Sequence, residues 1–144
     1  MVGILITGHG HFATGLGSSL QLITGITENI ALVDFEADHS TETLKANLHK
    51  AMDSLKDCDG ILVLSDLAGG SPFNNASVCK SERPDQKIEV VAGTNLPMII
   101  EGATMMVAYD DPLELAETLI PTGKEYIVRF ELVAHEDNAD EEGI

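Results

Sequence analysis

The sequence has no tryptophan, and aromatic residues make up only 4% of its 144 positions. Stacked recognition of nucleobases or sugar rings therefore has little to rest on. Basic residues are also scarce, with 8 Lys and Arg against 24 Asp and Glu. Binding to a phosphate backbone needs clustered Lys and Arg; no such cluster occurs, which excludes a nucleic-acid partner. The two cysteines, Cys58 and Cys79, form no motif and read as free thiols in a reducing compartment. No apolar run approaches the ~18 to 20 residues needed to span a bilayer. The opening Met1-Val2-Gly3-Ile4 lacks the basic region of a signal peptide, so a cytoplasmic location is expected.

Acid is what the chain has in abundance. Its formal net charge is −16, and five of those charges sit in the tail, at Glu136, Asp137, Asp140, Glu141 and Glu142. The remaining body, at −11, is acidic too. Such a surface favours solubility and steers a basic patch on a protein partner. The length suits one domain with a real core, and a hydrophobic fraction of 44% with mean hydropathy +0.08 is ordinary for a globular chain.

Apolar runs alternate with helical patterns. Residues 2–7 form a continuous apolar run, as expected of a strand covered on both faces. Ala13, Leu16, Leu20 and Ile23 follow at helical spacing. Residues 30–35 form a second strand, and Ser40 is a candidate N-cap for a helix with Leu44, Leu48, Met52 and Leu55 as its stripe. Residues 61–65, the most apolar run, predict a central third strand. Ser71-Pro72 reads as N-cap and first turn of the next helix. Residues 87–92 give a fourth strand. Asn95-Leu96-Pro97 starts another helix, and Asp111-Pro112 starts a last one through Leu119. This order implies right-handed βαβ units and an α/β fold. After Pro121-Thr122-Gly123, residues 124–134 alternate as an edge strand with no helix-length crossover before it, free to pair antiparallel on its own sheet or with another subunit.

Two strand ends carry the chemistry. The first run stops at Gly8-His9-Gly10, and the third at Asp66-Leu67-Ala68-Gly69-Gly70-Ser71-Pro72-Phe73-Asn74. Ligands of open parallel sheets bind beyond the carboxyl ends of the strands, where strand order reverses. In an open doubly wound sheet of order 2-1-3-4, that point lies between strands 1 and 3, which end in His9 and Asp66. A neutral imidazole presents a nucleophilic lone pair, and a carboxylate on the other nitrogen fixes the tautomer. Gly8 and Gly10 allow a tight bend with room for a bulky donor. Gly69, Gly70 and Ser71 ahead of a helix offer N–H groups and the positive dipole end to an anion.

With these residues in place, the chain resembles the enzyme IIA domains of the mannose family of the bacterial phosphoenolpyruvate-dependent sugar phosphotransferase system. The resemblance also rests on Asp34-Phe35 after strand 2 and on Ala92-Gly93-Thr94-Asn95-Leu96-Pro97-Met98 after strand 4, and it runs to about Ala134. It implies a phosphotransferase in which His9 takes a phosphoryl group from the phosphocarrier HPr and passes it to enzyme IIB. The membrane permease components would be served indirectly. Asp66 would orient His9, with Gly10, Gly69, Gly70 and Ser71 around the phosphoryl group. No metal, nucleotide or other cofactor is implied. Family members are homodimers that exchange their last strand, which suits residues 124–134. The phosphocarrier domain would then cover residues 1–135, with an acidic, disordered tail at 136–144. His11 has no part in this motif.

Other readings remain. The phosphotransferase subunit of dihydroxyacetone kinase shares the fold and histidine but lacks Gly-Gly-Ser-Pro-Phe-Asn. A hydrolase using Ser71, His9 and Asp66 has no Gly-x-Ser-x-Gly elbow, and Pro72 removes an N–H that an oxyanion hole would use. A nucleotide or flavin binder lacks a ring-stacking Trp or Tyr at the strand ends. A metal at His9 and His11 needs further ligands that spacing does not reveal.

Overall fold

In the computed structural model, which describes residues 1–134, the four apolar runs form one parallel sheet in the order β2-β1-β3-β4. The strands are β1 (Val2–His9), β2 (Ile30–Phe35), β3 (Gly60–Ser65) and β4 (Ile88–Val91). Between and after them lie α1 (Phe12–Thr24), α2 (Thr41–Ser54), α3 (Ser71–Ser81), α4 (Leu96–Met105) and α5 (Pro112–Glu125), with a single 3-10 turn at Met106–Ala108. The expected strand order and fold class hold.

Alternate residues of the central strands face opposite helical layers, which is why β1 and β3 read as unbroken apolar runs. Ile4, Ile6, Leu62 and Leu64 pack against α1, α4 and α5 through Leu20, Ile99, Leu115 and Leu119. Leu5, Ile61 and Val63 pack against α2 and α3 through Leu44, Leu48, Met52, Ala76 and Cys79. All of these side chains are essentially inaccessible to water, and each buried Leu or Ile contributes roughly 1.5–3 kcal/mol. The strands that lead to His9 and Asp66, β1 and β3, are thus the most deeply buried of the four.

Helix starts mostly follow the expected signals. The Ser40 side chain accepts the Thr43 N–H, Asn95 accepts that of Met98 and Asp111 that of Leu113. Ser71 corrects its expectation. The N-cap of α3 is Gly70, in extended backbone, and Ser71 is the first helical residue ahead of Pro72. Gly8 is a second correction: it lies inside β1, and a Cβ there would meet the Phe12 ring at 2.4 Å, so its missing side chain admits Phe12 and not an incoming donor.

The third correction concerns the chain after Leu119. Helix α5 runs through Pro121-Thr122-Gly123 to Glu125, so Lys124 and Glu125 are helical and not the start of a strand. Pro121 is exposed, and the carbonyl its missing N–H leaves without a helical partner belongs to Glu117, itself an exposed residue. Gly123 is buried, its C=O accepts from Asn95 Nδ2 at 2.8 Å, and a Cβ on it would strike the Met98 sulfur. Docking onto α4 overrides the local turn signal. Residues 127–134 carry no strand assignment, and Ile127, Val128, Phe130 and Leu132 are largely exposed. The acidic tail at 136–144, together with the domain limit at 135, lies outside the described residues. No helix among the described residues is long and apolar enough to cross a membrane.

Candidate functional site

β1 and β3 run in register, with Thr7 opposite Ser65. His9 and Asp66 therefore emerge together at the carboxyl end of the sheet, at the switch point. Asp66 Oδ2 accepts the backbone N–H of His9 at 2.9 Å and lies 2.8 Å from His9 Nδ1. Asp66 Oδ1 accepts the Leu67 N–H at 2.7 Å. Burial pushes the Asp66 carboxyl upward, but the hydrogen bonds from His9 and Leu67 hold it below its ordinary value. An ionised carboxylate only accepts. In the neutral ring Nδ1 therefore carries the proton, and Nε2 is left with its lone pair.

Two further groups border the His9 ring. A Cβ on Gly70 would sit 2.8 Å from His9 Cε1 and 3.6 Å from Nε2, so glycine at this position keeps the flank of Nε2 open. Gly69, at φ +80°, makes the left-handed turn that brings Gly70 there, and the Asn74 side chain donates to its carbonyl at 3.0 Å. α3 begins at this point; the Gly70 N–H donates to the Leu67 carbonyl at 3.1 Å and Pro72 has none, which leaves the Ser71 and Phe73 N–H groups as the unpaired donors of its first turn. Ser71 makes no side-chain hydrogen bond among the described residues. On another side stands Phe35, opposite His9 in the β1–β2 register, with ring centroids 5.9 Å apart at 62°. Gly10, at φ +58°, turns the chain out of β1, and its N–H donates to the Phe35 carbonyl at 2.7 Å. His9, Asp66, Gly10, Gly69, Gly70 and Ser71 are all at this one strand end. The His9 side chain is 47% exposed, open enough for a macromolecular partner to reach.

His11 enters a different neighbourhood. Its Nδ1 lies 3.4 Å from Asp34 and its Nε2 3.2 Å from Glu36. Asp34 also accepts from both the backbone and hydroxyl of Thr14, supplying the cap of α1 that the N-cap residue His11 itself does not make. The Glu36 N–H donates to His39 Nδ1 at 3.1 Å, which places the proton of a neutral His39 ring on Nε2, facing the Glu36 carboxylate at 3.5 Å. Glu36, Asp38 and His39 cluster closely enough for a cation. In this tautomer, however, the His39 nitrogen facing the carboxylates has no lone pair to give. Spacing along the chain foretold neither the Phe35 contact nor the acidic partners of His11. The only signal was the Asp34-Phe35 pair at the end of strand 2.

Residues 3–119 match the family model EIIA-man, described as "PTS system fructose IIA component". The chain is 36% identical over 126 residues to the mannose-specific EIIAB component of Escherichia coli strain K12, covering 86% of this chain and 38% of that protein. It is 34% identical over 101 residues to the fructose-specific EIIA component of Bacillus subtilis strain 168, covering 70% and 68% of the two chains. The structure superposes on the phosphotransferase system component EIIA from Streptococcus agalactiae with a TM-score of 0.82 at 36% identity, over 90% of this chain and 97% of that one. The mannose/sorbose-specific IIA subunit from Enterococcus faecalis gives 0.80 at 29% identity, over 92% and 97%. The chain thus spans well under half the length of the E. coli relative, which joins an A and a B component.

Proposed function

This chain belongs to the mannose-type enzyme IIA family of sugar phosphotransferase systems, and from that membership we propose that it is a phosphohistidine carrier using His9. The observation that carries the reading is the divided imidazole: Nδ1 is tied to Asp66 while Nε2 stands free beside the start of α3. Nε2 attacks the phosphorus of phospho-HPr. The bond from phosphorus to the donor breaks, its electron pair stays on the donor, and a new P–N bond forms. Charge that develops on the ring meets the Asp66 carboxylate through Nδ1–H. The phosphoryl oxygens meet the N–H groups of Gly69 and Ser71 and the Ser71 hydroxyl, while Gly70 and Gly10, whose own N–H groups donate to Leu67 and Phe35, leave room beside the ring. Transfer to enzyme IIB reverses the same steps, and uptake through the membrane components follows from it. The sugar is handled by those components and not by this carrier. No metal or cofactor takes part.

The same reading places the protein in the cytoplasm as a homodimer. Support for a second copy comes from residues 127–134, whose apolar side chains are left largely exposed by the other described residues. An apolar groove of about 500 Å³ between α1, α4 and α5, lined by Ile23, Leu96, Ile100 and Tyr126, lies next to their start.

The test is direct. The protein is incubated with phosphoenolpyruvate, enzyme I and HPr, and its intact mass is read. One acid-labile phosphoryl group is expected, and none on His9→Ala. A phosphoryl group that persists in His9→Ala refutes the assignment, and ester hydrolysis dependent on Ser71 would favour a hydrolase.

A further inference from the structure

We propose that Phe35 is a positioning residue for the phosphoryl-accepting ring, an inference that rests on the role given to His9 above. A hydrogen bond from Nδ1 to Asp66 selects the tautomer, but it fixes one atom of a ring that is 47% exposed. The direction of the Nε2 lone pair depends on the ring plane, and a plane needs support at more than one point. Phe35 provides it by packing against the imidazole at 62° with ring centroids 5.9 Å apart, while Gly70 leaves the margin at Cε1 unblocked.

The end of β2 is held more firmly than a strand terminus requires. The Phe35 carbonyl accepts from Gly10, the residue next to His9. Before it, Asp34 takes two hydrogen bonds from Thr14 and faces His11. After it, Glu36 is met by His39 through its backbone and by both His39 and His11 through its carboxylate. The residues on both sides of Phe35 are thus anchored to α1 and to the loop before α2. The ring itself sits only at the margin of the core beside α2 and α3. Phe35 therefore has a fixed backbone and a half-buried side chain aimed at His9, the arrangement of a support for a reacting group.

The test pairs Phe35→Leu, which keeps apolar bulk against the core, with Phe35→Tyr, which keeps the ring. Two quantities are read: the rate of phosphoryl transfer from phospho-HPr, and the ¹⁵N signals of the His9 ring in the unphosphorylated protein. In Phe35→Leu, transfer slows by about tenfold and the His9 Nδ1–H signal broadens and exchanges faster with water. Phe35→Tyr stays close to wild type in both. The proposal is overturned by wild-type transfer in Phe35→Leu, by slow transfer with an unchanged His9 signal, or by Phe35→Tyr being as slow as Phe35→Leu. Should Phe35→Leu fail to fold, Phe35→Met is judged by the same outcomes. If the wild-type protein takes up no phosphoryl group at all, the carrier reading fails, and the His9 ring signals still decide whether Phe35 holds the ring.

Discussion

His9 and His11 stand two residues apart, and both rings face carboxylates, yet the structure surrounds them differently. His9 is 47% exposed, with one nitrogen on Asp66 and the other free. His11 is more exposed, at 75%, but Asp34 and Glu36 lie opposite both of its nitrogens. An anionic phosphoryl group approaching either nitrogen of His11 would meet a carboxylate, whereas the Asp66 carboxylate sits on the Nδ1 side of His9 and away from Nε2. Under the proposed mechanism exposure therefore does not select the nucleophile; the open nitrogen does.

The largest expected effect separates the two histidines outright. His9→Ala abolishes phosphoryl uptake in the intact-mass assay, whereas His11→Ala retains it, and the reverse pattern would break the comparison. Gly70→Ala comes next. Its backbone, at φ −74° and ψ 164°, suits any residue, so the fold survives by circular dichroism. The new methyl group presses on His9 Cε1 and crowds the approach to Nε2, and transfer falls by about 100-fold, the scale of a misplacement near 1 Å. Wild-type transfer in Gly70→Ala would mean that the phosphoryl group approaches from another side.

Asp66→Asn sharpens the comparison from the other direction. An amide at position 66 no longer demands a proton on Nδ1, so His9 loses its fixed tautomer and transfer slows by about 10- to 100-fold. The same variant has a stability signature. The Asp66 carboxyl is held below its ordinary value in the folded protein. Its contribution to stability is therefore complete above the ordinary carboxylate range and is lost as pH falls through the depressed folded value. Denaturant titrations should show wild type exceeding Asp66→Asn most at neutral pH, with the gap closing in acid. A gap that widens in acid contradicts the sign. The smallest effect belongs to His11→Ala, whose exposed ion pairs are worth about 0–1 kcal/mol, with transfer close to wild type.

The fold was legible because its signals were local. Unbroken apolar runs marked strands covered on both faces, and Ser40, Asn95 and Asp111 marked the helix starts that the structure contains. His9 and Asp66 were legible as a pair because strand order in such sheets is restricted, and order alone brings their strand ends together. Residues whose roles come from long-range packing were not. Gly8 reads as a hinge until Phe12 is seen filling its space, and Pro121-Thr122-Gly123 reads as a turn until Gly123 docks on Met98 and Asn95. Phe35 and Glu36 gain meaning only from the β1–β2 register and from side chains on α1 and the loop before α2.

The central claim is that phosphorylation occurs on the free Nε2 of His9, and ³¹P–¹⁵N correlation NMR of the phosphorylated, ¹⁵N-labelled protein tests it. The account predicts a single P–N bond at Nε2 of His9, with Nδ1 still protonated toward Asp66. A bond at Nδ1 of His9, or at either nitrogen of His11, would contradict it.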